Sequence, residues 1–226
     1  MCRPVCCMAV LNKMRPYTKE TDFIPKSCDM IISGTDKAMS HLILAGIFNS
    51  LILMLSHVLY AIHSLAGFFI LSYFHQALEN LLLATVYILM VIKVPGRALA
   101  VNAGVWGFMG LAMGFWQILV IALPAALAAD WFIRTRGYDN LIVISAGYSF
   151  YATSLAVANG SPLLLMKNSH IISRTAQVDP FFAGLMDKVT IPLFFLQVSV
   201  SFLAAVAGSI IALRIIKKHF KPAGII

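Results

Sequence analysis

From Leu42 to Ile92 the chain carries a single formal charge, Glu79. A soluble domain is about a quarter charged, so no water-facing helix or strand fits this run. The apolar residues are continuous and do not alternate, which argues against a transmembrane barrel, whose strands switch polarity at every residue. An α-helix rises about 1.5 Å per residue, and roughly 20 residues cross the hydrocarbon core of a bilayer. The run is too long for one crossing and too short for three with turns. It reads as two spans, about 41–63 and 67–92, turning near His63-Ser64-Leu65-Ala66-Gly67. The rest of the chain agrees: of 226 residues 60% are hydrophobic and only 12% charged. This excludes both a soluble globule and a disordered chain.

Lys93-Val94-Pro95-Gly96-Arg97 then forms a short basic loop, with Pro and Gly as breakers. The apolar stretch from Ala98 to Ile133 would overshoot the bilayer as one helix. It divides into spans of about 98–114 and 117–134 around Gly114-Phe115-Trp116, and Trp116 suits an interfacial position. A fifth span covers about 140–159. A loop from Gly160 to Lys188 contains Pro162 and Pro180. The sixth span covers about 189–215, with Pro192 in its first turn. The expected fold is therefore all-α: a polytopic membrane protein built as a six-transmembrane-helix bundle over residues 39–226. Residues 1–38 are expected to be a disordered or dispensable cytoplasmic tail.

The basic residues give this layout an orientation. Of the 17 Lys and Arg, 14 fall on one side: six in the tail, then Lys93, Arg97, Arg134, Arg136, Arg214, Lys217, Lys218 and Lys221. Lys167, Arg174 and Lys188 fall on the other. By the positive-inside rule both termini are cytoplasmic and the loop 160–188 faces outward. The same split accounts for the net charge of +8 without a nucleic-acid partner.

Few residues carry chemistry. An intramembrane carboxyl is a functional candidate by default, because insertion scales charge it roughly 2.5–3.5 kcal/mol. Glu79 follows His75 by four residues, so the two share a helix face. That face suits a polar ligand, a proton or a metal, or a structural hydrogen bond to Asn80 or a neighbouring helix. His57 and His63 lie six apart on different faces. With His75 they make a weak three-histidine set, without an HExxH or HxxxH motif. Asp130 is expected to pair with Arg134 at i+4. Asn159-Gly160-Ser161 is a formal glycosylation sequon of little weight. The spacing of Cys2, Cys6, Cys7 and Cys28 matches no zinc pattern. There is no phosphate-binding GxxxxGK[ST] loop and no G-x-S-x-G nucleophile elbow. No catalytic residue, metal or cofactor is expected.

Three stretches carry a family resemblance: Lys93-Val94-Pro95-Gly96; Leu127-Ala128-Ala129-Asp130 leading to Arg136-Gly137-Tyr138; and Lys217-Lys218-His219-Phe220-Lys221-Pro222-Ala223-Gly224-Ile225. On these the region from about residue 40 to the end resembles the Trep_Strep group of bacterial integral membrane proteins. That group is in turn similar to the substrate-binding (S) components of energy-coupling factor (ECF) transporters. The resemblance implies a multi-pass subunit of the bacterial cytoplasmic membrane that captures a vitamin-like or trace-nutrient small molecule. Its partners would be a transmembrane coupling subunit and two cytoplasmic ATPases, which fits the missing phosphate loop. S components often carry Ala-x-x-x-Ala on the first helix. Here Ala45, Gly46, Asn49 and Ser50 supply a relaxed version and become the expected partner face.

A ligand site open to the outside would draw on His63, Trp116, Gln117, Asn159 and Arg174, joined by His75 and Glu79. Asn168 and His170 belong to the same loop, and Arg174 would suit an anionic ligand. The competing class is an intramembrane enzyme or metal-binding membrane protein using His75 and Glu79. A secondary carrier would need inverted repeats, and the sequence carries no internal repeat.

Overall fold

A computed structural model describes residues 26–66, 73–165, 188–220 and 222, with side chains described from Met39 to Ile62 in the first of these segments. The chain divides into two compact units, Met1–Ile43 and Leu44–Ile226. Among the described residues seven α-helices follow in order: α1 (Lys26–Ala66), α2 (His75–Leu82), α3 (Ala84–Lys93), α4 (Ala98–Ala112), α5 (Trp116–Arg136), α6 (Leu141–Leu165) and α7 (Ile191–Ile215). A π-helical turn, Ile216–Phe220, continues α7. The described residues contain no strand. α1 begins at Lys26, inside the stretch read as a tail, so the helical boundary lies ahead of Met39.

Among the described residues four helical stretches are long and apolar enough to cross a membrane: Met39–Ile62, Trp116–Arg136, Leu141–Leu165 and Ile191–Phe220; α2 and α3, counted as one bent span, would make a fifth. α4 is shorter, with 15 residues. Side-chain placement follows the lipid solvent. Phe108, Ile142 and Leu165 stand at least 73% exposed, while Asn102, Gln76 and Ser201 are buried. An apolar surface with polar groups inside is stable in a bilayer and would be an aggregation liability in water.

Local chemistry explains the helix ends. At the C-terminus of α4 the Phe115 amide donates to the Gly110 carbonyl at 2.7 Å and the Gly114 amide to Leu111 at 3.0 Å. These are the two bonds of a Schellman stop, whose left-handed residue is Gly114 at φ 87°. α6 runs six residues past the expected end at Asn159, through Pro162. Proline cannot donate to the carbonyl four residues back. The Ser161 hydroxyl does so instead, reaching the Ala158 carbonyl at 3.1 Å.

The second span differs from expectation. In place of one helix over 67–92, α2 and α3 meet at Leu83 with a bend of 52°. In an unbroken helix the Asn80 carbonyl would accept from the Ala84 amide. Here it accepts the Tyr148 hydroxyl of α6 at 2.7 Å, and a side chain inserted into the helical ladder is a recognised cause of kinks. Gly208 of α7 presses on the same turn. A Cβ there would stand 2.7 Å from the Leu81 carbonyl and 2.8 Å from that of Asn80. Close backbone approach at small residues is how helices associate in lipid. Gly208→Ala must therefore shift α7 off the break. We expect a loss of about 1–3 kcal/mol, seen as a lower Tm of the purified chain in detergent. An unchanged Tm would show that the contact is loose.

Asp130 also departs from expectation. Arg134 is exposed and makes no ion pair with it. The buried carboxylate instead accepts the Leu99 amide at 3.3 Å and the Ala100 amide at 2.9 Å. These are second and third residues of α4, so Asp130 caps that helix from α5 and satisfies two of its four orphan donors. The side chains at positions 97–98 supply no such cap. Asp130→Ala is expected to cost about 1.5–3 kcal/mol, the range for charged hydrogen bonds, with Asp130→Asn losing less. Equal stability of both variants and the parent would contradict the cap.

Candidate functional site

Short turns alternate the helix directions through α6. Lys93, Arg97, Arg134 and Arg136 therefore gather at one end of the bundle. The start of α2, the end of α6 and the start of α7 lie at the other. The pairings agree: Gly160 faces Gln197, while Ser149 meets Ser209 at 3.2 Å, so α6 and α7 are antiparallel.

At the less basic end, α2, α6 and α7 enclose a polar cluster in two layers. In the upper layer the Asn159 amide donates to Gln76 Oε1 at 2.6 Å. Gln76 Nε2 in turn donates to Glu79 Oε2 and to Asn80 Oδ1, each at 3.2 Å. In the lower layer Asn80 Nδ2 donates to the carbonyls of Ala152 and Ser201, each at 3.3 Å. α7 contributes Gln197 and Ser201, four residues apart and on one face. Gln197 is 3% exposed and Ser201 0%, and among the described residues Gln197 Oε1 and Ser201 Oγ have no hydrogen-bond partner. Buried polar atoms are almost always paired, and those that are not call for a ligand, a water or a function.

A second network lies deeper. The Tyr151 hydroxyl donates to Asn102 Oδ1 at 2.6 Å, and Asn102 Nδ2 to Asn49 Oδ1 at 2.7 Å. Tyr87 packs between Tyr148 and Tyr151, with ring centroids 5.3 and 6.2 Å away. This network ties α6 to α4 and α4 to α1. A separate groove of about 710 Å³ opens between α5, α6 and α7, walled by Ile121, Phe150, Phe202 and Leu213 among others. It shares no residue with the polar cluster and has no charged group in its wall.

Of the expected site residues, the cluster brings Glu79 and Asn159 together through Gln76. His75 is half-buried, and its ring stands edge-on to Tyr60 at 6.1 Å. Trp116 is exposed and Gln117 buried at the start of α5. The side chain of His63 and all of Arg174, Asn168 and His170 lie outside the described residues. His57 is exposed, with its Nδ1 2.7 Å from the Leu53 carbonyl of its own helix. Among the described residues no three His, Cys, Asp or Glu side chains are grouped to hold a metal. From sequence Asn80 is named only as a structural partner of Glu79, and Gln76, Gln197 and Ser201 are not named. Their signal is present: Gln76 and Asn80 are spaced four apart, and so are Gln197 and Ser201 on a largely apolar helix.

The expected partner stripe splits in two. Ala45 and Asn49 are buried against the chain's own bundle, and Asn49 is occupied by Asn102 and by the Ala45 carbonyl at 2.7 Å. They are therefore removed from the outward face. Gly46 and Ser50 are exposed, and a Cβ on Gly46 would meet nothing within 4 Å.

The model of a family described as hypothetical bacterial integral membrane protein, Trep_Strep, matches residues 39–221. The chain belongs to the Trep_Strep family. The matched region holds every residue of the polar cluster, so this site lies in the part of the Trep_Strep chain that the family model covers. No curated protein and no solved structure matches it. The family membership and the apolar helices make it a multi-pass membrane protein of the bacterial membrane.

Proposed function

We propose that this Trep_Strep protein is the substrate-binding (S) component of an ECF-type transporter, capturing a vitamin-like or trace-nutrient small molecule for uptake. In this reading α2 and α3 form one broken span and α4 a short one. That gives six crossings with both termini in the cytoplasm. The observation that carries the proposal is the polar cluster of Gln76, Glu79, Asn80, Asn159, Gln197 and Ser201 at the less basic end, which the charge split assigns to the outside. Small-molecule sites fix their ligands with a few converging polar groups. The exposed Gly46–Ser50 stripe supplies a face for the coupling subunit, and two cytoplasmic ATPases supply the energy. The chain itself performs no covalent chemistry and needs no cofactor.

Two measurements test this. A tagged full-length chain, co-expressed with a coupling subunit and its two ATPases, is expected to retain all three through purification; recovery of the chain alone would refute the assembly. A cysteine at Asn168 is expected to react with an impermeant label in intact cells and one at Gly96 to stay unlabelled. The reverse pattern would invert the topology and move the cluster to the cytoplasmic side.

A further inference from the structure

We infer that an anionic phospholipid, from the leaflet at the basic end of the bundle, seats its two acyl chains in two grooves beside α6 and its phosphate among Arg136, Arg214 and Lys217. The inference does not depend on the transport reading. Next to the groove walled by α5, α6 and α7 lies a second one of about 350 Å³ between α5 and α6, lined by Ala128, Ala129, Phe132 and Gly147. The two share Ala146 and Phe150 of α6, and both of these residues are exposed. The larger groove follows α6 from Ile142 to Val157, which is about 22 Å at 1.5 Å per residue. One leaflet is about 15 Å deep, half of a hydrocarbon core of about 30 Å, so a whole acyl chain fits. The hydroxyls of this wall are mostly spent within the protein. Thr153 donates to the Ser149 carbonyl at 2.7 Å, Ser154 to that of Tyr151 at 2.6 Å and Ser209 to that of Ala205 at 2.8 Å, while Ser149 shares a bond of 3.2 Å with Ser209. The exception is Ser145, whose hydroxyl has no partner among the described residues.

Both grooves run out at basic residues. On α7 the larger groove takes Ile210 and Leu213. Arg214 follows Ile210 by four residues on the same face, and Lys217 follows Leu213 into the π-helical turn; both are exposed. On α5 the smaller groove reaches Phe132, and the Arg136 guanidinium stands 5.9 Å from the centre of that ring. Arg134 and Lys218, also exposed, add to the positive field. Against these stands Asp139, exposed in the turn between α5 and α6, while Asp130 is buried on the amides of α4. Basic pockets between membrane helices recognise anionic head groups in this way. Ser145 lies about one turn inside α6 from the same end. The ester carbonyls of a phospholipid sit just below its phosphate, so they supply acceptors at that depth. The paired grooves also favour a lipid over a helix. A helix with its side chains is about 10–12 Å across and would have to straddle Phe150, whereas two thin chains occupy both grooves at once.

The test measures thermal unfolding of the full-length protein in detergent with and without added lipid, and counts by mass spectrometry the phosphatidylglycerol retained per chain. Phosphatidylglycerol is expected to raise the Tm by about 3–5 °C, and phosphatidylcholine with the same chains by less than about 1 °C. The difference is expected to vanish, and the retained lipid to be lost, in the triple variant Arg136→Gln, Arg214→Gln, Lys217→Gln. Those positions are exposed, so its Tm without lipid should stay near that of the parent; the lipid count decides the site even where that Tm shifts. Ala146→Phe, which fills the shared wall from an exposed position, is expected to release the lipid as well. Equal stabilisation by the two lipids would overturn the recognition of charge. Equal retention by the parent and either variant would overturn the site. Glycerol phosphate acting as strongly as phosphatidylglycerol would make the ligand a free phosphate, and a dimer that Ala146→Phe dissociates would make the occupant a second copy of the chain; either result refutes the lipid.

Discussion

Asn102→Leu is expected to lower the Tm of the purified chain by about 6–12 °C, the largest loss of any single substitution considered. Interhelical hydrogen bonds in membranes average only about 0.6 kcal/mol and reach about 1.7, because an unfolded chain in lipid finds other partners. Asn102 belongs at the upper end. It is fully buried, and its two bonds, at 2.6 and 2.7 Å, go to side chains that are themselves enclosed. Leucine strands the Tyr151 hydroxyl and Asn49 Oδ1 together, and each unsatisfied group costs about 1–3 kcal/mol. A total near 3 kcal/mol follows from two upper-range bonds. Tyr151→Phe removes one bond and should cost about half as much. The two substitutions combined should cost less than their sum, since they share a partner. A fall of less than about 2 °C in Asn102→Leu would show that the network is not structural.

The second large effect is expected in assembly, with little change in stability. Gly46→Leu and Ser50→Leu place bulk on an outward stripe where a Cβ on Gly46 meets nothing within 4 Å. Surface substitutions of this kind usually stay within about 0.5 kcal/mol, so the isolated subunit should unfold at nearly its original temperature. If the stripe docks a coupling subunit by close backbone approach, either substitution should abolish co-purification and uptake. Ala45→Leu serves as the contrast, because Ala45 faces inward and is 2% exposed; it should overpack the bundle and lower the Tm. A large loss of stability in Gly46→Leu would refute the docking role.

Much of the architecture is legible in the sequence because lipid imposes simple rules. The turns at Gly96, Gly114 and Gly137 fall where glycine permits positive φ, and all three do adopt it. The break at Leu83 is not legible, because Tyr148 and Gly208, which shape it, lie more than sixty residues away in sequence. The i+4 rule misplaced Asp130 because α4 needed a cap that its own flanking residues do not provide. For the site, Glu79 stands out as the lone charge of its stretch, but the cluster around it depends on three helices converging. Gln197 and Ser201 carry no charge; their spacing of four marks one helix face, but only the fold brings that face beside Asn80 and Gly160. On α1 the neighbouring stripes Ala45–Asn49 and Gly46–Ser50 differ by 100° of helical rotation, and only the position of Asn102 decides which one turns inward.

If the α2–α6–α7 cluster captures a small molecule, as proposed, the purified protein should carry it. The most direct measurement is mass spectrometry of what the full-length protein releases on denaturation after purification in detergent, beside a Gln76→Leu, Asn159→Leu double variant whose folding is verified by its Tm. The account predicts a single cell-derived small molecule held by the parent at near one-to-one stoichiometry and absent from the variant. Release of no small molecule by the parent, or of the same molecule in equal amount by both, would contradict it.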